Sequence, residues 1–124
     1  MSSATTSDDQ IKKAFLETQS KISDYTRQLN AVKTQLSLKD REGRLCDLTH
    51  KELASLPKDT GAYRAVGRMF FKADLSVLAD ELKVQSTEAA REAKALERAS
   101  KKIEGSIIDA QDNLKELLKK RQEL

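Results

Sequence analysis

Apolar side chains recur between Ile11 and Leu36 in alternating steps of four and three: Ile11, Phe15, Thr18, Ile22, Tyr25, Leu29, Val32 and Leu36. That spacing holds one stripe of an α-helix against a partner and is the signature of a coiled-coil seam. Just ahead of it, Ser7-Asp8-Asp9-Gln10 reads as a helix start. Ser7 can cap, Gln10 can reach back, and the two aspartates complement the dipole. Residues 1–7 are therefore expected as a disordered tail and residues 8–43 as the first helix. Periodicity fades through Lys39-Asp40-Arg41-Glu42, and Gly43 is the expected stop. Thr49-His50-Lys51-Glu52 repeats the capping-box pattern and predicts a short helix over 49–56, ended by Pro57.

A second seam follows over 75–124, with Asp74 as its expected cap. Leu75, Leu78, Leu82, Gln85, Ala89, Glu92, Leu96, Ala99 and Ile103 keep the same alternation, weakened at Gln85 and Glu92. The pattern then slips to Ile103, Ile107, Ala110, Leu114, Leu117, Arg121 and Leu124. Two steps of four at Ala99–Ile103–Ile107 predict a stutter, which unwinds a supercoil locally. At 1.5 Å per residue the arms would be roughly 50 Å and 75 Å long. Folded back antiparallel, they would bring both chain ends together at a distal tip.

Between the arms, residues 60–73 have no helical period. Tyr63, Phe70 and Phe71 are three of the five aromatics of the chain, and Val66 and Met69 lie between them. Gly67-Arg68 separates two β-prone runs, as the two-residue loop of a type II′ hairpin would. In that register Val66, Met69 and Phe71 share one face while Ala65 and Phe70 occupy the other. A lone two-stranded hairpin is marginal in water, and one that is apolar on both faces needs partners. Tyr63, Val66, Met69, Phe70 and Phe71 are therefore the candidate subunit-assembly residues; the competing reading folds the hairpin onto the chain's own helices.

Composition narrows the class. Of 124 residues, 35% are charged and 4% aromatic, with no Trp, which suits a long coiled coil better than a compact globule. The net charge of +3 is spread over interleaved acids and bases, with no basic, aromatic-rich stripe to bind nucleic acid. No apolar run reaches membrane-spanning length. Cys46 is the single cysteine, which leaves no internal disulfide or multi-cysteine metal site and fits a reducing compartment. The cytoplasm is the expected location, with the nucleus left open. Neither Cys46, near Leu45 and Leu48, nor His50 has partners for nucleophilic or acid–base chemistry. No catalytic site, metal site or cofactor is expected.

At the tip, Ile11, Phe15, Leu114, Leu117 and Leu118 would meet. Leu117 and Leu118 are adjacent, so a strict seam buries only one of them. An apolar end of this kind grips unfolded chain without directional demands, and Lys115, Lys119, Lys120 and Arg121 would attract acidic segments. The competing reading simply closes the coiled coil, with the cations complementing the helix end.

The segment Tyr63-Arg64-Ala65-Val66-Gly67-Arg68-Met69-Phe70-Phe71-Lys72 resembles the Tyr-x-x-Val-Gly-Arg-Met-Phe hairpin of β-type prefoldin subunits. Leu48-Thr49-His50-Lys51-Glu52-Leu53 is similar to the connector ahead of that hairpin. Lys13-Ala14-Phe15 and Asp112-Asn113-Leu114-Lys115-Glu116-Leu117-Leu118 look like one branch of the family. The likeness extends from Asp8 to Leu124, and a single hairpin is the mark of the β-type. It implies a mainly α fold, an antiparallel two-helix coiled coil with one hairpin, and hairpins pooled into a β-barrel in a heterohexamer. It further implies two α-type and three other β-type partner subunits, and an ATP-independent co-chaperone. Such a complex holds unfolded actin, tubulin and similar clients at its coiled-coil tips for the cytosolic chaperonin. The alternative is a structural coiled-coil adaptor or tether without holdase activity.

Overall fold

The computed structural model describes the backbone of residues 2–123 and the side chains of residues 6–123. Its elements run α1 (Ser2–Ala54), β1 (Ala62–Val66), β2 (Met69–Ala73) and α2 (Leu75–Glu123). They form two compact units. One contains Gln35–Ala95; the other contains the residues up to Thr34 together with those from Leu96 onward.

Several expected boundaries are corrected. Helix α1 is already formed at Ser2, where a disordered tail over 1–7 was expected, and Met1 lies outside the described residues. It passes through Gly43 without a break and absorbs the short helix expected over 49–56. Thr49 is not a cap: its hydroxyl donates to the Leu45 carbonyl at 2.8 Å, inside the helix. The reason lies in the seam. Leu36, Lys39, Gly43, Cys46, His50 and Leu53 are the inward positions of α1 here, all half-buried or buried and still spaced three and four apart. The helical period persists while its residues turn small or polar, so hydrophobicity fades although the helix does not. Helix α1 ends where Pro57 would have to donate to Leu53 and has no N–H to do so. The Leu56 N–H takes that carbonyl instead, at 3.2 Å.

In the unit formed by 35–95 the helices run antiparallel, since Lys39 meets Glu92 while Asp47 meets Ser86. Lys39 Nζ lies 2.8 Å from Glu92 and 3.2 Å from Glu42. Its hydrogen bonds to Glu92 first, then to Glu42, hold its pKa above the ordinary lysine value. Cys46 is buried and its Sγ donates to Gln85 Oε1 at 3.6 Å. Ala89 and Ala93 are the buried positions of α2 here. Ala79 is half-buried beside Leu78, and Leu75, Ala79, Leu82, Ser86, Ala89 and Ala93 keep the alternation of four and three unbroken. In the other unit Leu96, Ser100, Ile103, Ile107 and Ala110 keep it as well. The stutter expected at Ala99–Ile103–Ile107 therefore does not form, because Ser100 takes the inward place assigned to Ala99. Small Ser86 and Ala93 face inward, while Gln85 and Glu92 turn to the flank and serve Cys46 and Lys39. Helix α2 opens with the Leu78 N–H on the Asp74 carbonyl, at 3.1 Å, which makes Asp74 the N-cap.

In the other unit Asp8 pairs with Arg121 at 3.6 Å and Lys33 with Glu104 at 3.8 Å, so here too the helices run antiparallel. Thr18, Ser100 and Ala110 are buried, and Thr18 satisfies its hydroxyl on the Ala14 carbonyl at 2.8 Å. Small inward residues let helix backbones approach, at the expense of apolar area in the seam. Among the described residues no helix is long and apolar enough to cross a membrane.

Candidate functional site

Strands β1 and β2 pair antiparallel in the register Val66↔Met69, Ala65↔Phe70, Arg64↔Phe71, Tyr63↔Lys72 and Ala62↔Ala73. Gly67 has φ +62° and Arg68 does not share a positive φ. Of the two hairpin turns, that combination selects type II′. Opposed residues share a face, so Val66, Met69 and Phe71 lie on one side with Arg64. Tyr63, Ala65 and Phe70 lie on the other.

Both sides face solvent. The five residues singled out for assembly are between 51% (Phe71) and 72% (Phe70) exposed. The unit's own helices do not cover them, and the reading that folds the hairpin back on the chain is not what is observed. One polar tie fixes the hairpin's base: Arg64 is paired with Glu81 of α2.

A second apolar surface lies in the unit that holds both chain ends. Ile11, Phe15, Leu16, Leu117 and Leu118 line a groove of about 240 Å³, with Lys12 and Arg121 at its edge. Asp8 bridges these two cations at 3.6 Å each. Leu117 is half-buried while its neighbour Leu118 is 45% exposed. Four of the five residues expected at the tip thus come together. Leu114 is half-buried in the seam and is not part of the groove lining. Leu16, 65% exposed, was missed. The signal was present, because Phe15-Leu16 is an adjacent apolar pair like Leu117-Leu118. Lys115, Lys119 and Lys120 are exposed around the same helix end, whereas Arg121 is committed to Asp8.

His50 is half-buried at a seam position rather than on the open surface. Among the described residues no group of three His, Cys, Asp or Glu side chains is arranged to hold a metal ion.

The family model described as "Prefoldin subunit" matches residues 17–121. A probable prefoldin subunit 1 of Dictyostelium discoideum is 36% identical over 110 residues, spanning 89% of this chain and 96% of that one. Prefoldin subunit 1 of Danio rerio is 32% identical over 114 residues (92% and 93% of the two chains). The human prefoldin subunit 1 is 31% identical over 111 residues (90% and 91%). The crystal structure of the prefoldin beta subunit from Thermococcus strain KS-1 superposes with a TM-score of 0.76. It covers 82% of this chain and 90% of that one at 24% identity, a likeness of fold.

Proposed function

This chain belongs to the prefoldin subunit family, and from that premise we propose that it acts as a β-type subunit of a heterohexameric, ATP-independent co-chaperone. Two α-type and three further β-type subunits are its partners, and their pooled hairpins close a β-barrel. The observation that carries this reading is the hairpin, whose two faces both present large apolar side chains to solvent. Two-stranded ribbons left in that state are marginally stable and aggregation-prone. Closure into a barrel with other hairpins buries both faces and removes the edges. A plain adaptor or tether has no use for such a segment.

The groove at the chain ends supports the second half of the reading. Ile11, Phe15, Leu117 and Leu118, with Leu16, form a contact for unfolded clients of the actin and tubulin kind before transfer to the cytosolic chaperonin. Burial of apolar surface is non-directional, which suits clients that share exposed hydrophobic segments rather than one sequence. The role is non-catalytic and uses no cofactor, and it places the chain in the cytoplasm, with a nuclear pool as a secondary location.

Native mass spectrometry of the affinity-purified endogenous complex tests it, together with suppression of aggregation of a denatured client. Six co-assembled small chains with holdase activity are expected. A chain that purifies alone, or a complex that leaves aggregation unchanged, would overturn the reading.

A further inference from the structure

Helix α2 carries a charge pattern on its outer face that neither the hairpin nor the groove uses. Lys101, Arg98 and Lys94 lie four, seven and eleven residues before Gly105, and Asp109, Asp112 and Glu116 lie at the same distances after it. At about 100° of rotation per residue, all six fall within about 40° of Gly105. They and the glycine are exposed, while the inward Ser100, Ile103, Ile107 and Ala110 occupy the opposite side of the helix. The other charged residues of this stretch lie off the stripe. Lys102 is turned from Gly105 by about 60°, Glu97 and Lys115 by about 80° and Glu104 by about 100°.

Within the chain this order is unfavourable. Like charges at steps of three and four repel along a helix, and each block is built of such steps. None of the six has an ion-pair partner among the described residues. Glycine weakens a helix interior, yet a Cβ at Gly105 would meet nothing within 4 Å. Packing inside the chain therefore gives no reason for it.

Turned end for end, the stripe is its own complement. Where two α2 helices cross antiparallel at Gly105, the basic block of each lies opposite the acidic block of the other. Residue i facing j while j faces i is the mark of a two-fold contact. The missing side chain at the centre lets the two backbones approach. The next mirrored positions, Arg91 and Lys119, are like-charged and end the match; Arg91 is held by Glu88.

We propose that the outer face of α2 centred on Gly105 is a self-association surface, on which a second copy of this chain docks antiparallel. The proposed hexamer holds one copy, so the contact joins two complexes. The stripe is one helix wide and roughly 30 Å long, too little for the about 800 Å² per partner of a stable interface. Pairing is therefore weak, reversible and strongest at low salt.

The test uses the complex reconstituted with the other prefoldin subunits of the same source. At low salt its weight-average mass, from sedimentation equilibrium, should rise with concentration toward twofold. It should fall back near 1 M salt, where the Debye length is about 3 Å. Zero-length carbodiimide should join Lys101 to Asp109; within one helix they lie about 12 Å apart, so the link runs between copies. Arg98→Glu/Lys101→Glu and Asp109→Lys/Asp112→Lys should each abolish self-association. Complexes carrying the first variant, mixed with complexes carrying the second, should pair again, which a misfolded variant would not do. Should either variant fail to enter the complex, Gly105→Leu decides. It strengthens the helix but blocks the crossing, so association should drop, and unchanged association would count against the contact. Wild-type complexes that stay single at low salt, variants that associate like wild type, or a mixture that stays single would overturn the proposal. If the chain does not assemble with the other subunits, the assembly reading falls, and the Lys101–Asp109 cross-link in the free full-length chain still decides this one.

Discussion

Gly43 faces Ala89 so closely that a Cβ built on the glycine would lie 3.7 Å from the alanine Cβ. That is ordinary van der Waals contact, so the site accepts one methyl group and little more. Gly43→Ala should therefore keep the seam and recover the helix propensity lost to glycine, about 1 kcal/mol. Hydrogen exchange of the amides around residue 43 in the assembled complex should slow about fivefold, if those amides exchange by local opening. Gly43→Leu should overpack the site and speed exchange. Faster exchange in the alanine variant would mean that the glycine is required rather than tolerated.

The same contact explains why part of the fold was legible in the sequence and part was not. The first seam could be read from Ile11 to Leu36 because large apolar residues marked all of its positions but Thr18. Between Leu36 and Leu53 the inward positions are Lys39, Gly43, Cys46 and His50, where close approach, an ion pair and a thiol hydrogen bond replace apolar packing. A hydrophobic period carries no trace of such contacts, so a continuous helix looked like a helix, a stop and a second start. The hairpin was fully legible because Gly67 needs a positive φ and the β-prone residues flank it. The groove was legible through its seam members. Leu16 escaped because it lies one position outside the period that revealed Phe15.

Exposure of the hairpin on both faces leads to an assembly prediction. Val66 and Phe70 lie on opposite faces, and Val66→Asp/Phe70→Asp would place a carboxylate on each. Buried in a shared barrel without partners, each would cost several kcal/mol. The variant should be lost from the complex on size-exclusion chromatography. Gly67→Val should weaken assembly through backbone strain alone, because a β-branched residue at positive φ is a genuine outlier. An intact complex containing the aspartate variant would remove the hairpin from the assembly surface.

The pairing of Lys39 with Glu92 and Glu42 predicts a pH dependence with a definite sign. The pKa of Lys39 is raised in the folded chain, so the pair contributes in full below the ordinary lysine value, near 10.4. As pH rises further the unfolded chain loses its proton first, and the contribution fades as pH passes through the folded value. In urea titrations from pH 8 to pH 11.5, the stability difference between the wild-type chain and Lys39→Met should be constant at first and shrink at the alkaline end. A difference that holds across the whole range would show that the aliphatic stem of Lys39, and not its charge, is what matters.

Client capture is best tested at Leu16 and Leu118, the two most exposed apolar residues of the groove, at 65% and 45%. Neither is needed to close the seam, so Leu16→Lys/Leu118→Lys should alter the groove without unfolding the helices. Both positions lie outside the unit that carries the hairpin, and assembly should be unaffected. Holding of a denatured client should weaken by a few-fold rather than vanish, because in the proposed hexamer the other five subunits would keep their own contacts and multivalent grips degrade gradually. Deleting Met1–Phe15 together with Leu114–Leu124 should have the larger effect in the same direction. Added ATP should change neither result. Aggregation of a denatured client, followed by light scattering at equal complex concentration, provides the comparison. Equal suppression by wild-type, substituted and truncated complexes would assign the groove to closing the coiled coil and confine this chain's part to the assembled body.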